Sequence, residues 1–175
     1  MSEATLSAPT RRPLRAFAVG AVALAALLVV LAALTRPGPA PDIDLPTLSG
    51  HPFNPSKLAG KVQVVNFWST SCSVCLVEMP ALVELHEAYS GRGVAVTTIA
   101  MHYDSRDRVL AYQVQQQLPF TMALDPYGKA ARDFGDVRGT PTTFVIDRDS
   151  RVVARYQGRI DFDELRQRLE RLVND

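Results

Sequence analysis

Two cysteines, Cys72 and Cys75, constrain this chain more than any other feature of its sequence. They are the only cysteines in the 175 residues, and two residues separate them. They directly follow the apolar run 62–68 and precede a segment, 73–89, whose apolar residues recur at helical spacing. A strand-to-helix junction is where a thiolate gains most from the positive end of a helix. The sequence therefore predicts a reactive dithiol at the start of a helix.

Two other uses of a cysteine pair fit this spacing less well. A structural disulfide stabilises most when it closes a long loop, whereas this one would close only two intervening residues. A tetrahedral zinc site needs four ligands, and besides the cysteines the chain offers only His51, His86 and His102, which form no closely spaced pair. We therefore interpret the cysteines as redox-active and predict no bound metal.

An uncharged apolar run occupies residues 16–34. As a helix, its 19 residues would span about 28 Å, close to the hydrocarbon thickness of a bilayer. Arg11, Arg12 and Arg15 precede the run and favour a cytoplasmic N-terminus. We predict a cytoplasmic tail over residues 1–15 and a transmembrane anchor over 16–34. A cleaved signal peptide is the alternative, but its apolar core is normally shorter, about 7–15 residues.

The rest of the chain suits one domain behind a spacer. Residues 35–42 are rich in proline and predict an extended linker, and residues 43–175 have the size of a single globular domain. The net charge of +1 gives no general attraction for nucleic acid. No flavin or nicotinamide motif is visible, so we predict no cofactor.

Periodicity along the domain predicts strands that alternate with helices, followed by a hairpin and a last helix. The predicted strands are 43–48, 62–67, 94–101, 120–124, 142–147 and 152–157, and the predicted helices are 73–89, 105–118, 127–134 and 162–173. This order implies an α/β fold with a mixed central sheet and helices on both faces. Functional groups in such sheets tend to lie beyond the carboxyl ends of strands, which is where Cys72 falls.

Two segments resemble those of a known family. Residues 66–75 (NFWSTSCSVC), with Glu-Met-Pro at 78–80, resemble the active-site segment of thioredoxin-like proteins, most closely the membrane-anchored, extracytoplasmic branch typified by TlpA, ResA and CcmG. Residues 139–142 (GTPT) are similar to that family's cis-proline segment. The resemblance covers about residues 42–175. It implies a thioredoxin-like fold behind one N-terminal transmembrane helix, and thiol–disulfide oxidoreductase activity.

The residues predict how such chemistry would run. Cys72, at the helix start, would be the nucleophile, and Cys75, one turn further, would be the resolving thiol, so that a Cys72–Cys75 disulfide forms and reopens. The resemblance adds Pro141 as the cis-proline, with Thr140 as a substrate-binding residue. Trp68 is predicted to lie beside the active site and to bind substrate, although a plain core role is an equally good interpretation.

Three further positions qualify this picture. Glu78 resembles an active-site glutamate of the ResA-like branch and could relay a proton, but a solvated glutamate early in a helix is an equally good interpretation. Asn66 stands where cytosolic thioredoxins have a buried aspartate. Ser71 stands where many relatives carry a tryptophan, which leaves the surface beside the first cysteine more open.

The sequence thus predicts an enzyme of the bacterial inner membrane, single-pass, with its catalytic domain in the periplasm. It would reduce disulfides of envelope proteins, for example in cytochrome c maturation, and receive electrons from another membrane or periplasmic thiol protein. Alternatives are a disulfide-forming oxidase or isomerase, and a thioredoxin-fold Cu(I) chaperone with His102 as third ligand. A peroxidase is a further alternative, although the Pro-x-x-x-Thr-x-x-Cys pattern is absent around Cys72.

Overall fold

A computed structural model describes residues 38–174 of the chain, together with Leu24 and Ala26. The chain divides into the units Met1–Arg36 and Pro37–Asp175, and the second carries both cysteines. Within the described residues, no helix is both long and apolar enough to cross a membrane. The predicted tail and, apart from Leu24 and Ala26, the predicted anchor lie outside the described residues.

A five-stranded mixed sheet forms the centre of the domain. Its strands are β1 (Val62–Trp68), β2 (Val94–Ala100), β3 (Thr121–Leu124), β4 (Thr142–Ile146) and β5 (Val152–Gln157). The strand order is β3-β2-β1-β4-β5; β1, β2 and β3 are mutually parallel, whereas β4 is antiparallel to both β1 and β5. β1, which is mostly apolar, is buried along its whole length, including Gln63 and Asn66.

Four helices cover the two faces of this sheet. They are α1 (Ser73–Tyr89), α2 (Arg106–Gln116), α3 (Lys129–Asp133) and α4 (Phe162–Asn174). Side chains of α1, α2 and α4 share one apolar cluster with one face of the sheet. The short α3 and residues 40–53 form a second cluster on the other face. The predicted α/β fold with a mixed sheet and helices on both faces is confirmed.

The N-terminal part of the domain differs from the prediction. Residues 43–48 form no regular strand; Leu45 and Thr47 make single bridges to Phe53 and Ala123. Prolines recur at positions 39, 41, 46, 52 and 55; Pro46 falls within the predicted strand, and each proline lacks a backbone donor that a ladder needs.

The described part of the predicted linker lies against the domain. Ala40 donates its N–H to the Ser150 carbonyl at 2.7 Å, and Val152 donates to the Gly38 carbonyl at 2.9 Å. Ala40 is also buried in the second apolar cluster. Residues 38–40 therefore run along the outer side of β5.

One buried carboxylate holds the loop after β3. The Asp125 side chain accepts hydrogen bonds from the backbone N–H groups of Ala130 at 3.1 Å and Ala131 at 2.9 Å. Gly128, which immediately precedes α3, makes no side-chain cap of its own. Asp125 thus caps a helix that is too short to be stable alone.

Replacing Asp125 with Ala should lower the free energy of unfolding by about 1–3 kcal/mol, because two buried N–H groups lose their acceptor. Urea denaturation of the purified chain measures the loss. Asp133→Ala, which removes only an exposed ion pair with Lys129 on the same helix, is the matched control and should cost about 0.5 kcal/mol or less. Equal losses in the two variants would contradict the assigned capping role.

Candidate active site

The two sulfurs lie at bonding distance at the start of α1. Cys72 is the N-cap residue, in extended conformation, and Cys75 lies in the first turn. The sulfurs are 2.13 Å apart and form a disulfide. The Cys75 N–H also points at Cys72 Sγ, with 3.2 Å between nitrogen and sulfur. The structure therefore places the pair at a strand-to-helix junction, as the sequence predicts.

Burial distinguishes the two cysteines. Cys72 is half-buried, whereas Cys75 is only 2% exposed and belongs to the apolar cluster beneath α1. A substrate can therefore reach the first sulfur and not the second. On reduction, the helix N-terminus would stabilise a thiolate at Cys72, because free N–H groups and the helix dipole face it.

The loop that leads to Cys72 is fastened to the next connection of the sheet. The Asp104 side chain, which is 2% exposed, accepts hydrogen bonds from the Thr70 backbone N–H at 2.5 Å and the Thr70 hydroxyl at 2.7 Å. Arg108 approaches the same carboxylate at 3.4 Å. Asp104 therefore fixes the loop just before Cys72.

Sequence reasoning did not identify Asp104. A usable signal was present, since an aspartate in the connection that follows a buried parallel strand lies at the same edge of the sheet as Cys72. Its partner Thr70, in the loop before the helix, completes the pair.

Glu78 is buried in α1, and its residue surface is only 5% exposed. The interpretation of Glu78 as a solvated surface glutamate is therefore wrong. Its Oε1 accepts a hydrogen bond from the Ile160 N–H at 2.7 Å, while its Oε2 is buried without a partner. Burial raises the pKa of this carboxyl, and the Ile160 hydrogen bond and the charge of Arg159 oppose that rise only in part.

Trp68 and Asn66 lie on one face of β1, below the helix. Trp68 is fully buried, with its ring centroid 5.3 Å from that of Tyr112, so it presents no surface to a client in this oxidised form. The Asn66 amide donates to the Thr143 hydroxyl at 2.8 Å on the neighbouring strand. A neutral, hydrogen-bonded amide therefore occupies the position at which cytosolic thioredoxins have a buried aspartate.

The Thr140–Pro141 peptide bond is cis. It lies just before β4, at the edge of the sheet where β1 ends, since Phe67 pairs with Thr142. Pro141 is buried and Thr140 is half-buried. The structure therefore brings this segment to the same edge as the disulfide.

His102 is not brought into a metal site with the cysteines. Over the described residues, 38–174 with Leu24 and Ala26, no group of three or more His, Cys, Asp or Glu side chains is placed to hold a metal ion. His102 instead lies with its ring centroid 5.2 Å from that of Tyr103 and next to Gly128.

Comparisons with known proteins agree with this site. Residues 38–155 match the AhpC/TSA family. The chain is 32% identical to the thiol-disulfide oxidoreductase ResA of Bacillus thuringiensis subsp. konkukian, over 77% of this chain and 76% of that protein. It is 31% identical to the thiol:disulfide interchange protein HelX of Rhodobacter capsulatus, over 77% and 74%.

A solved structure shows the same fold. A thiol:disulfide interchange protein described as DsbE, from Chlorobium tepidum, superposes with a TM-score of 0.73 at 28% identity, over 79% of this chain and 97% of that chain. The domain therefore has the thioredoxin-like fold that the sequence predicts. The names of these relatives are those of thiol–disulfide oxidoreductases, which favours disulfide exchange over the peroxidase alternative.

In the reduced protein, iodoacetamide at neutral pH should modify Cys72 faster than Cys75 by on the order of tenfold or more, because Cys72 is accessible and its thiolate is stabilised. Peptide mapping by mass spectrometry after short exposures measures both rates. In 8 M urea the difference should vanish, since it depends on the fold. Equal rates in the native protein would contradict the assignment.

Glu78→Gln should be more stable to unfolding than the wild type at neutral pH and little different at pH 3. The unfolded chain loses the Glu78 proton near about pH 4.3, whereas burial raises the folded-state pKa above that value, so native stability falls as the pH rises between the two. Glutamine does not ionise and keeps an oxygen for Ile160. Urea unfolding from pH 3 to 8 tests this, and a stability difference that does not vary with pH would refute it.

Proposed function

From the premise that the chain belongs to the AhpC/TSA family and is a thiol–disulfide oxidoreductase of the ResA, DsbE and HelX type, we propose its reaction and its location. It reduces disulfides of proteins outside the cytoplasm, and it is anchored in the bacterial inner membrane. The observation that carries the proposal is the disulfide at the N-terminus of α1, with one accessible and one buried sulfur.

The anchor is supported by sequence alone. Residues 16–34 form an uncharged run of bilayer length behind three arginines. With this orientation the N-terminus stays in the cytoplasm, and the domain with the dithiol faces the periplasm. Short-lived thiol exchange between membrane-associated proteins fits such a tether, because both partners are confined near one surface.

The exchange runs in two balanced steps. The Cys72 thiolate attacks a sulfur of the client disulfide, forming a mixed disulfide and releasing the other client sulfur as a thiolate. Cys75 then loses its proton and attacks Cys72 Sγ, which forms the Cys72–Cys75 disulfide and releases the second client thiol. The client gains two electrons and the enzyme loses two. A separate thiol protein of the membrane or periplasm must then reduce the enzyme.

The segment before β4 supplies a place for the client backbone. Thr140 lies at the sheet edge beside the end of β1, and an extended client segment can pair there by strand addition. Pro141 forms the buried base of this segment. Trp68 contributes indirectly, since it is buried in the apolar cluster against which Cys72 packs.

Glu78 is the proposed proton acceptor for Cys75. It lies one helical turn after Cys75, and its Oε2 has no hydrogen-bond partner. Burial raises its pKa, which brings the carboxyl closer to the pH at which it can both take up and release a proton. Asn66 cannot exchange a proton in this way, because an amide does not titrate.

Disulfide formation or isomerisation in clients would use the same two sulfurs, but without net transfer of electrons from the enzyme to the client. We propose reduction, and cytochrome c precursors with paired cysteines are the client class suggested by the resemblance to the ResA and CcmG branch. A redox titration of the Cys72–Cys75 pair against glutathione distinguishes the directions: a strongly reducing potential supports reduction, and an oxidising one supports disulfide formation.

Cys75→Ser should accumulate mixed disulfides with envelope proteins in cells, because attack by Cys72 still occurs and resolution does not. Diagonal electrophoresis, non-reducing and then reducing, followed by mass spectrometry measures the trapped species and identifies the clients. Cys72→Ser is the matched control and should trap none, since Cys75 is buried. Equal trapping by the two variants, or none by either, would refute Cys72 as the nucleophile.

A further inference from the structure

A groove of about 320 Å³ opens beside Ser71, the residue that precedes Cys72. The residues that line it come from the loop before Cys72 and from the exposed side of α2: Thr70, Ser71, Arg108, Ala111, Tyr112 and Gln115. Ser71 and Ala111 are small and stand on opposite walls, which leaves the space between loop and helix open. The Ser71 hydroxyl lies 3.0 Å from that of Ser69 and so is held against its own loop.

The walls of this groove are held in place before any client arrives. Asp104 binds Thr70 through its backbone N–H and hydroxyl, which fixes the loop wall. Arg108 of α2 forms an ion pair with the same carboxylate. This ion pair connects α2 to that loop, and the Asp104 carboxylate balances the charge of the guanidinium. A pocket that is already formed costs a ligand little ordering free energy.

The groove presents an aromatic wall. Tyr112 is half-buried, and its ring packs on the fully buried Trp68 at a centroid distance of 5.3 Å. Burial raises the pKa of the Tyr112 hydroxyl, so the ring stays neutral at physiological pH. Aromatic side chains gain about 0.5–1.5 kcal/mol from a ring partner beyond the area they bury. An aromatic occupant therefore gains more here than an aliphatic one of similar size.

We propose that this groove binds one aromatic side chain of the client polypeptide, located within a few residues of the client's reactive cysteine. The proposal rests on the proposed function, because it requires a client disulfide at Cys72. Ser71, a wall of the groove, directly precedes Cys72, and an extended chain advances about 3.3 Å per residue. A client cysteine bonded to Cys72 thus brings its near neighbours to the groove, whose volume of about 320 Å³ is ample for one aromatic side chain.

Two disulfide-linked peptides test the proposal on the reduced full-length protein in detergent. They are identical except for Phe or Ala at the positions flanking one cysteine, and oxidised glutathione serves as a small disulfide without neighbours. Stopped-flow fluorescence or quenched alkylation gives the second-order rate constants. The wild type should react about three- to tenfold faster with the Phe peptide than with the Ala peptide.

Variants on both walls should abolish this preference. Ala111→Arg and Ser71→Leu each fill the groove with a non-aromatic side chain of the protein itself, and both positions are exposed, so the fold tolerates the larger residues. For each variant, peptide rates are divided by its own rate with oxidised glutathione. Val114→Arg adds the same charge to α2 outside the groove and is the matched control; its Phe-to-Ala ratio should equal that of the wild type.

Each result has a definite meaning. A Phe-to-Ala ratio that falls to about one in both filled variants and persists in Val114→Arg supports the groove. A wild-type ratio of about one, or a ratio that both filled variants keep, overturns the groove and leaves the proposed function intact. A protein that exchanges with neither peptide nor glutathione overturns the proposed function, and the groove with it.

Discussion

The contact between the Cys75 N–H and Cys72 Sγ is the interaction on which the site depends. It makes a sulfur the cap of α1, in a position usually taken by a serine, threonine or aspartate oxygen. The free backbone N–H groups of the first turn need a cap, and the same groups would stabilise a thiolate. The contact that begins the helix therefore also favours a reactive sulfur. The sheet delivers Cys72 to this position, because β1 ends four residues earlier at the edge where the parallel strands finish.

Three buried carboxylates near this edge differ in how their oxygens are occupied. Asp104 and Asp125 each accept two backbone or hydroxyl hydrogen bonds, one on each oxygen, and so hold a loop in place. Glu78 has one donor on one oxygen and none on the other, and burial raises its pKa. Of these three, Glu78 alone combines burial with an unoccupied oxygen, which is the arrangement expected of a group that takes up a proton.

Regular elements of this fold were predictable, because their patterns are local. The mostly apolar run of β1 and the helical spacing of α1 predicted both elements nearly residue by residue. The segment 43–58 was not predictable in this way, since its prolines forbid a ladder and its bridges depend on distant partners. The burial of Glu78 and the anchor at Asp104 likewise arise from contacts between elements far apart in sequence, with Ile160 and Thr70.

Burial distinguishes the two sulfurs without reference to the two residues between the cysteines. Cys72 is half-buried and Cys75 is only 2% exposed, so in the proposed exchange the client sulfur bonds to Cys72 first and Cys75 then attacks Cys72 from the same helix turn. The thiol chemistry is therefore confined to a sulfur at a fixed position, and choice among clients must come from the surface around it. That surface has Thr140 beside the end of β1 and the groove between Ser71 and α2, and under the proposed function a client that contacts both would reach Cys72 already oriented for exchange.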